Sequence, residues 1–242
     1  MDELDKTLQR NKIAQFILRI DLTKDEPVDF RQLVERIKDE YGQVRSELHF
    51  NYNLDMEKVE VNREEFVTYR LGPIEQVLLE INVFEQSIIL NSSQYINNSV
   101  YKNRLQKIMD TLEAIAPNVK AKRIGMRYIN KIPCAKQSDI SKCLNKAEAT
   151  AIKEALTRND ISRAMIVHEF QKGDYQARVQ CGIPNNFFPS KISVYDLLLD
   201  IDVYSTGIQS LEMWNDAVKT YNHGAYDIFV SYIKQNKLEE WK

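Results

Sequence analysis

The sequence predicts an α+β protein, mainly antiparallel sheet in two strand-rich halves, with helices packed on one face and a long C-terminal helix. Two observations carry this. Runs of period-two alternation recur along the chain, and most of them adjoin one another without a helix between, which favours antiparallel pairing. Apolar residues at helical spacing appear in only a few places, the longest of them near the end of the chain.

From Ile13 to Leu22 the chain alternates. Ala14, Phe16, Leu18, Ile20 and Leu22 share one face, and Gln15, Arg19 and Asp21 share the other with Ile13 and Ile17, as in a half-buried strand. Pro27 sits near a helix start, where its missing N–H costs nothing. Phe30, Leu33, Val34 and Ile37 follow at helical spacing, and Gly42 marks the stop. Leu48–Leu54 and Glu65–Leu71 read as strands, the second closed by Gly72-Pro73. Val77–Leu90 reads as one or two strands, with Glu85-Gln86-Ser87 as a turn in the second case. Asn91–Ser99 is loop and cap. Val100–Ala116 is an amphipathic helix with Leu105, Ile108, Leu112 and Ile115 on its stripe, and Pro117 lies just past it.

Ala121–Ile132 is a further strand, ended by Pro133. Ser138–Leu156 reads as one helix with Ser138 as N-cap, poor in large apolar side chains, as a bridge between two halves would be. Arg163–Phe170, Tyr175–Ile183 and Val194–Tyr204 are strands, the first two joined by a turn at Lys172-Gly173-Asp174. The terminal helix starts near Ser210, and His223-Gly224 is where it would kink or break. These elements divide into an N-terminal half over 1–135, a bridging helix over 136–160 and a C-terminal half over 161–242, with one continuous domain as the alternative.

Composition narrows the function classes. The chain of 242 residues carries a formal charge of −2. Proteins that coat nucleic acid usually show a basic excess, so nucleic acid is not the favoured partner. The three cysteines, Cys134, Cys143 and Cys181, form neither a disulfide framework nor a zinc spacing. Only seven glycines are present, with no GxGxxG and no GxxxxGK[ST], so those two phosphate cradles are excluded and no cofactor is expected. No secretory leader or membrane-spanning apolar run is legible, which points to the cytoplasm.

Two strands carry opposite charge rows. Arg123, Arg127 and Lys131 share one face of the first, with Ile124, Met126, Tyr128, Ile132 and Asn130 on the other. Asp196, Asp200 and Asp202 share one face of the second. Within one sheet these rows are either cross-strand ion pairs, contributing ~0.2–1 kcal/mol each, or a charged face that binds a ligand or partner. Asn130, if buried, needs a hydrogen-bond partner. Carboxylates aligned on a strand are also the ligand type that Mg²⁺ takes, with Glu169 and Lys172 in reach of a hydrolase reading. The histidines, His49, His168 and His223, complete no base–orienter pair in sequence; His223 is a packing or capping residue, or a polar group near a helix break. Phe50, Tyr52, Tyr69 and Tyr128 could stack bases, but their strand period reads as core. Phe187 and Phe188 lie in a loop, as a plug or as an exposed contact patch.

The segment Arg123-Ile124-Gly125-Met126-Arg127-Tyr128-Ile129-Asn130-Lys131-Ile132 resembles the GLRYINRI strand of a sporadically distributed bacterial family of uncharacterised proteins of similar length. Asn11–Asp21 resembles its opening strand and Leu199–Tyr204 its late acidic strand. Asn222-His223, with Phe229 and Trp241, resembles its closing helix, where a Leu-His pair is commoner. The resemblance implies a bacterial cytosolic protein and brings no activity; patchy distribution associates such proteins with mobile or defence gene neighbourhoods.

The leading expectation is a non-enzymatic binding or interaction module, with a protein partner or a homo-oligomer and no membrane. Its site residues are expected among Arg123, Arg127, Asn130, Lys131, Asp196, Asp200, Asp202, Phe187, Phe188 and His223, with no catalytic or metal set assigned. The alternatives are a metal-dependent hydrolase or nuclease on the aspartates, and an RNA binder of ferredoxin-like fold.

Overall fold

The computed structural model describes residues 12–55, 60–73, 76–93, 95, 98–158 and 160–241. The strands are β1 (Ile13–Leu22), β2 (Val44–Asp55), β3 (Glu60–Leu71), β4 (Leu79–Asn82), β5 (Ser87–Ser92), β6 (Lys120–Ile132), β7 (Ala164–Lys172), β8 (Tyr175–Ile183), β9 (Leu197–Tyr204) and the short β10 (Gln209–Ser210). The helices are α1 (Phe30–Ile37), α2 (Asn98–Ile115), α3 (Ile140–Cys143), α4 (Lys146–Ala155), α5 (Trp214–Tyr232) and α6 (Gln235–Trp241).

All ten strands form one antiparallel sheet in the order β2-β3-β4-β5-β1-β6-β9-β8-β7, with β10 beside β6. Two meanders, β2 to β5 and β7 to β9, flank the central β1–β6 pair. β6 faces β1 from Ile13↔Asn130 to Leu22↔Ala121, and faces β9 from Gly125↔Tyr204 to Ile132↔Leu197. The strands of 161–242 therefore continue the sheet begun in 1–135.

Period-two alternation sorts the side chains into two sides. Phe16, Leu18 and Ile20 of β1, Ile124, Met126 and Tyr128 of β6, Leu199, Ile201 and Val203 of β9 and Val179 of β8 share one side and are buried. Helices cover it. α1 contributes Leu33 and Ile37, α2 contributes Leu105, Ile108 and Leu112, and α5 contributes Val218, Tyr221 and Ile228. Specific bonds pin this layer: the Tyr101 hydroxyl on α2 to Ser92 Oγ at 2.9 Å, and the Tyr128 hydroxyl to Asn222 Oδ1 on α5 at 2.6 Å.

Several boundaries differ from the sequence reading. The helix expected over Ser138–Leu156 is broken into a 3-10 turn at Gln137–Asp139, then α3, then α4. Leu144 is extended and bridges Ile233, while Lys234 N–H donates to Cys143 O at 2.9 Å and Asn145 N–H to Tyr232 O at 2.8 Å. Pairing with the end of α5 outcompetes one turn of helix there. Conversely, α5 runs through His223-Gly224 without a break. Gly224 serves packing, since a Cβ there would lie 2.5 Å from the Tyr175 hydroxyl. The strand expected from Val194 begins only at Leu197, and Val77–Leu90 divides into β4 and β5. Among the described residues no helix is long and apolar enough to cross a membrane.

Burial of phenols links this fold to alkaline pH. Burial raises the pKa of Tyr41, Tyr128 and Tyr232 above the ordinary 10.0, Tyr95 adding to the effect at Tyr128. The folded state thus holds these protons more tightly than the unfolded chain. Their contribution is complete below the unfolded value and is lost as pH rises through the folded ones. Urea unfolding midpoints are expected to fall between about pH 9 and about pH 11, with part of the tyrosinate absorbance appearing only on unfolding. Equal midpoints, with every tyrosine titrating in the folded protein, would contradict the assignment.

Candidate functional site

The sheet's second side carries no helix among the described elements and bears the charge rows. Register places Arg127 opposite Asp202 and Ile129 opposite Asp200. The ion pairs run diagonally across these positions. Arg127 Nε and Nη2 lie 2.8 and 2.6 Å from the two oxygens of Asp200, and Arg123 Nη2 lies 3.0 Å from Asp202. Asp200 is 3% exposed, so the two-pronged fork of Arg127 supplies what solvent does not. The hydrogen bonds that Arg127 donates to the Asp200 carboxylate hold the Arg127 pKa above its usual value, against its burial. Burial raises the Asp202 carboxyl despite Arg123 and Arg127. The Arg123 guanidinium also sits 4.3 Å over the Tyr204 ring. Gly125, directly opposite Tyr204, leaves the room: a Cβ there would lie 3.1 Å from Tyr204 Cβ.

The same pattern extends over the rest of this side. Arg70 of β3 pairs with Glu80 of β4 at 2.9 Å and with Glu47 of β2, Arg19 of β1 pairs with Asp21 at 2.7 Å and with Glu85 at 2.9 Å, and Arg178 of β8 stands 3.8 Å from Glu169 of β7.

The expected site residues do not converge. Arg123, Arg127, Asp200 and Asp202 come together as two ion pairs. Asn130 lies on the helix-covered side, buried, and donates to Leu199 O at 3.0 Å, so it is a satisfied core amide. Lys131 is exposed beyond the paired arginines. Asp196 precedes β9 and accepts the Cys134 N–H at 3.2 Å, a loop contact apart from Asp200 and Asp202. Glu169 lies two strands away from β9, and Lys172 ends β7. Among the described residues, no group of three His, Cys, Asp or Glu is arranged to hold a metal ion.

His223 is exposed on α5, on the other side of the sheet from Arg127. His168 points into the helix layer, its Nδ1 2.5 Å from the Tyr232 hydroxyl. Phe187 and Phe188 are exposed at 61% and 55%. Buried Asn185 builds their loop through bonds to Ser162 O and Ser190 O, and Arg163 covers one ring of the pair, Phe188, at 4.6 Å.

One surface was missed in the sequence. β3 pairs with β4 only over Thr68–Leu71, while β2 and β3 pair along twelve positions, from Val44↔Leu71 to Asp55↔Glu60. The β2–β3 hairpin therefore projects past its neighbour as an arm. On the side that elsewhere carries helices, Leu48, Phe50 and Tyr52 are 56%, 39% and 64% exposed. Phe50 and Tyr52 read as core by their alternation. Alternation put them on the core-facing side, but no described helix reaches this part of it. Tyr69, opposite Ile81 of β4, and Tyr128 do pack against or within the core. The arm's other side holds a short ladder, His49 on Phe66 at 5.1 Å and Phe66 on Phe84 at 4.9 Å.

No family model matches the chain, and no curated protein matches it.

Removing one member of the Arg127–Asp200 pair is expected to cost stability in proportion to what remains buried. Arg127→Ala leaves the Asp200 carboxylate without its cation and is expected to cost about 3 kcal/mol. Asp200→Asn leaves the charge on the more exposed Arg127, which solvent screens, and is expected to cost about 1–2 kcal/mol. Urea denaturation of both variants measures this. Two losses below about 0.5 kcal/mol would show a solvated surface pair instead.

Proposed function

We propose that this chain is a non-enzymatic protein-binding module whose β2–β3 arm is the docking element. The observation that carries this reading is the apolar stripe Leu48-Phe50-Tyr52, exposed on an arm that projects beyond β4. Contiguous exposed apolar surface marks interaction sites, and an aromatic pair flanked by an aliphatic side chain is the composition of an energetic anchor. Arg63, stacked 4.1 Å over Phe50, supplies a polar border. The charged side of the sheet supports the reading indirectly. Its arginines and carboxylates are spent on one another across strands, which suits a scaffold. In our reading the module works in a bacterial cytosol, as the resemblance of residues 123–132 implies.

A photo-crosslinking amino acid at Tyr52, introduced in the native cells, tests the proposal. A protein adduct is expected from position 52, with none from His223 as a control on α5. Leu48→Lys with Tyr52→Lys is expected to weaken the interaction at least about tenfold, equivalent to 1.4 kcal/mol, at an unchanged melting temperature. Absence of any protein adduct from position 52 would overturn the reading.

A further inference from the structure

Two of the three cysteines are brought together by the fold. Cys134 lies just past the end of β6, and Cys143 is the last residue of α3. Backbone bonds hold each of them in place. The Cys134 N–H donates to Asp196 Oδ1 at 3.2 Å, and the Cys143 carbonyl accepts the Lys234 N–H at 2.9 Å. Asp139 clamps the chain between them, accepting the Lys136 N–H at 3.2 Å and a bond from Lys142 Nζ at 2.8 Å. In this arrangement the Cys134 S–H faces the Cys143 sulfur within hydrogen-bonding reach. Both thiols are buried, yet their cover is thin: Pro133, Ala135 and Lys142, their neighbours in the chain, are exposed. Cys181 differs. It is buried within β8, and burial pushes its thiol up to about 12.

We infer that Cys134 and Cys143 are a dithiol that hydrogen peroxide closes reversibly to a disulfide, with Cys143 as the attacking sulfur and Cys134 as the resolving one. The thiolate is the nucleophile in such chemistry. The bond from the Cys134 thiol lowers the Cys143 pKa below its ordinary 9.0, and the Lys237 ammonium adds to this, against burial and the charges of Asp139 and Glu240. The same contact raises Cys134 and keeps it protonated. Both carboxylates have cations of their own, Asp139 in Lys142 and Glu240 in Lys237 at 2.5 Å. In the first step the Cys143 thiolate attacks one peroxide oxygen. An S–O bond forms, the O–O bond breaks, and the departing hydroxide takes up the proton that Cys143 had released. In the second step the Cys134 sulfur attacks the Cys143 sulfenic acid. The S–S bond forms, the S–O bond breaks, and the hydroxyl leaves with the Cys134 proton as water. The two thiols together lose two electrons and two protons, and the peroxide becomes two waters. The new bond ties the end of β6 to α3, and through the Leu144–Ile233 bridge to the junction of α5 and α6. In a reducing compartment it lasts only while oxidant is supplied.

Peptide mapping of the folded full chain after treatment with hydrogen peroxide tests the pair. The remaining thiols are alkylated in denaturant before digestion with trypsin. Cleavage after Lys131, Lys136, Lys142 and Lys146 puts the two cysteines in separate peptides, 132–136 and 143–146. The expected product is these two peptides joined by a disulfide, with Cys181 alkylated, and dithiothreitol returns both to the alkylatable form. Cys134→Ser removes the resolving thiol and is expected to leave Cys143 as a sulfenic acid that dimedone captures. Cys143→Ser is expected to slow loss of the Cys134 thiol at least about tenfold. The wild-type map stands whether or not the variants fold. Both peptides remaining alkylated, at a peroxide concentration that oxidises free cysteine, would overturn the inference. So would a bond that forms only in urea, or one that recruits Cys181. Loss of the Cys134 thiol in Cys143→Ser at the wild-type rate would overturn the assignment of Cys143 as the attacking sulfur.

Discussion

β6 is paired along both of its edges, to β1 on one and to β9 on the other, and the molecule is arranged around that fact. Each of its neighbours belongs to a different meander. Each could bury its apolar side only if β6 kept a strict alternation over the shared stretch. It does: Ile124, Met126 and Tyr128 enter the helix layer beside Leu18 and Val203, while Arg123, Arg127 and Lys131 leave on the other side. A slip of one residue would send arginines under α5 and leave Met126 in water. Gly125, the small residue in this segment, sits where Tyr204 and Arg123 crowd the strand.

The register that builds the core also disposes of the charge. Asp200 and Asp202 arrive beside Arg127 and Arg123 because the same antiparallel pairing that stacks Ile201 against Tyr128 brings them there. A carboxylate as buried as Asp200 is tolerable only with a bidentate cation in place. The result is a side of the sheet that is rich in ions and locally neutral. Exposed apolar surface lies at the periphery instead, as on the arm where β2 and β3 outrun β4.

Much of this was legible in the sequence. Period-two runs gave β1, β6, β7 and β8 nearly to the residue, and Lys172-Gly173-Asp174 gave the β7–β8 turn. The opposed charge rows were visible, and so was the choice between pairing and binding; strand order, which no local pattern encodes, brought them together. What failed did so for tertiary reasons. The helix over Ser138–Leu156 had adequate local spacing, but Leu144 pairs with Ile233, a residue far along the chain. Gly224 looked like a helix breaker because the Tyr175 ring that needs its missing Cβ lies on a distant strand. Phe50 and Tyr52 alternate as core residues do. Alternation reports which side a residue faces and is silent on whether a helix covers it, so the arm could not be told from buried sheet.

The central claim is that β6 welds the two meanders into one cooperative sheet. Native-state hydrogen exchange measures it directly. The account predicts that amides of β1, β6 and β9 exchange only through a common opening, with one free energy equal to that of global unfolding. Two separate openings, one protecting β1 to β5 and another protecting β7 to β9, would contradict it.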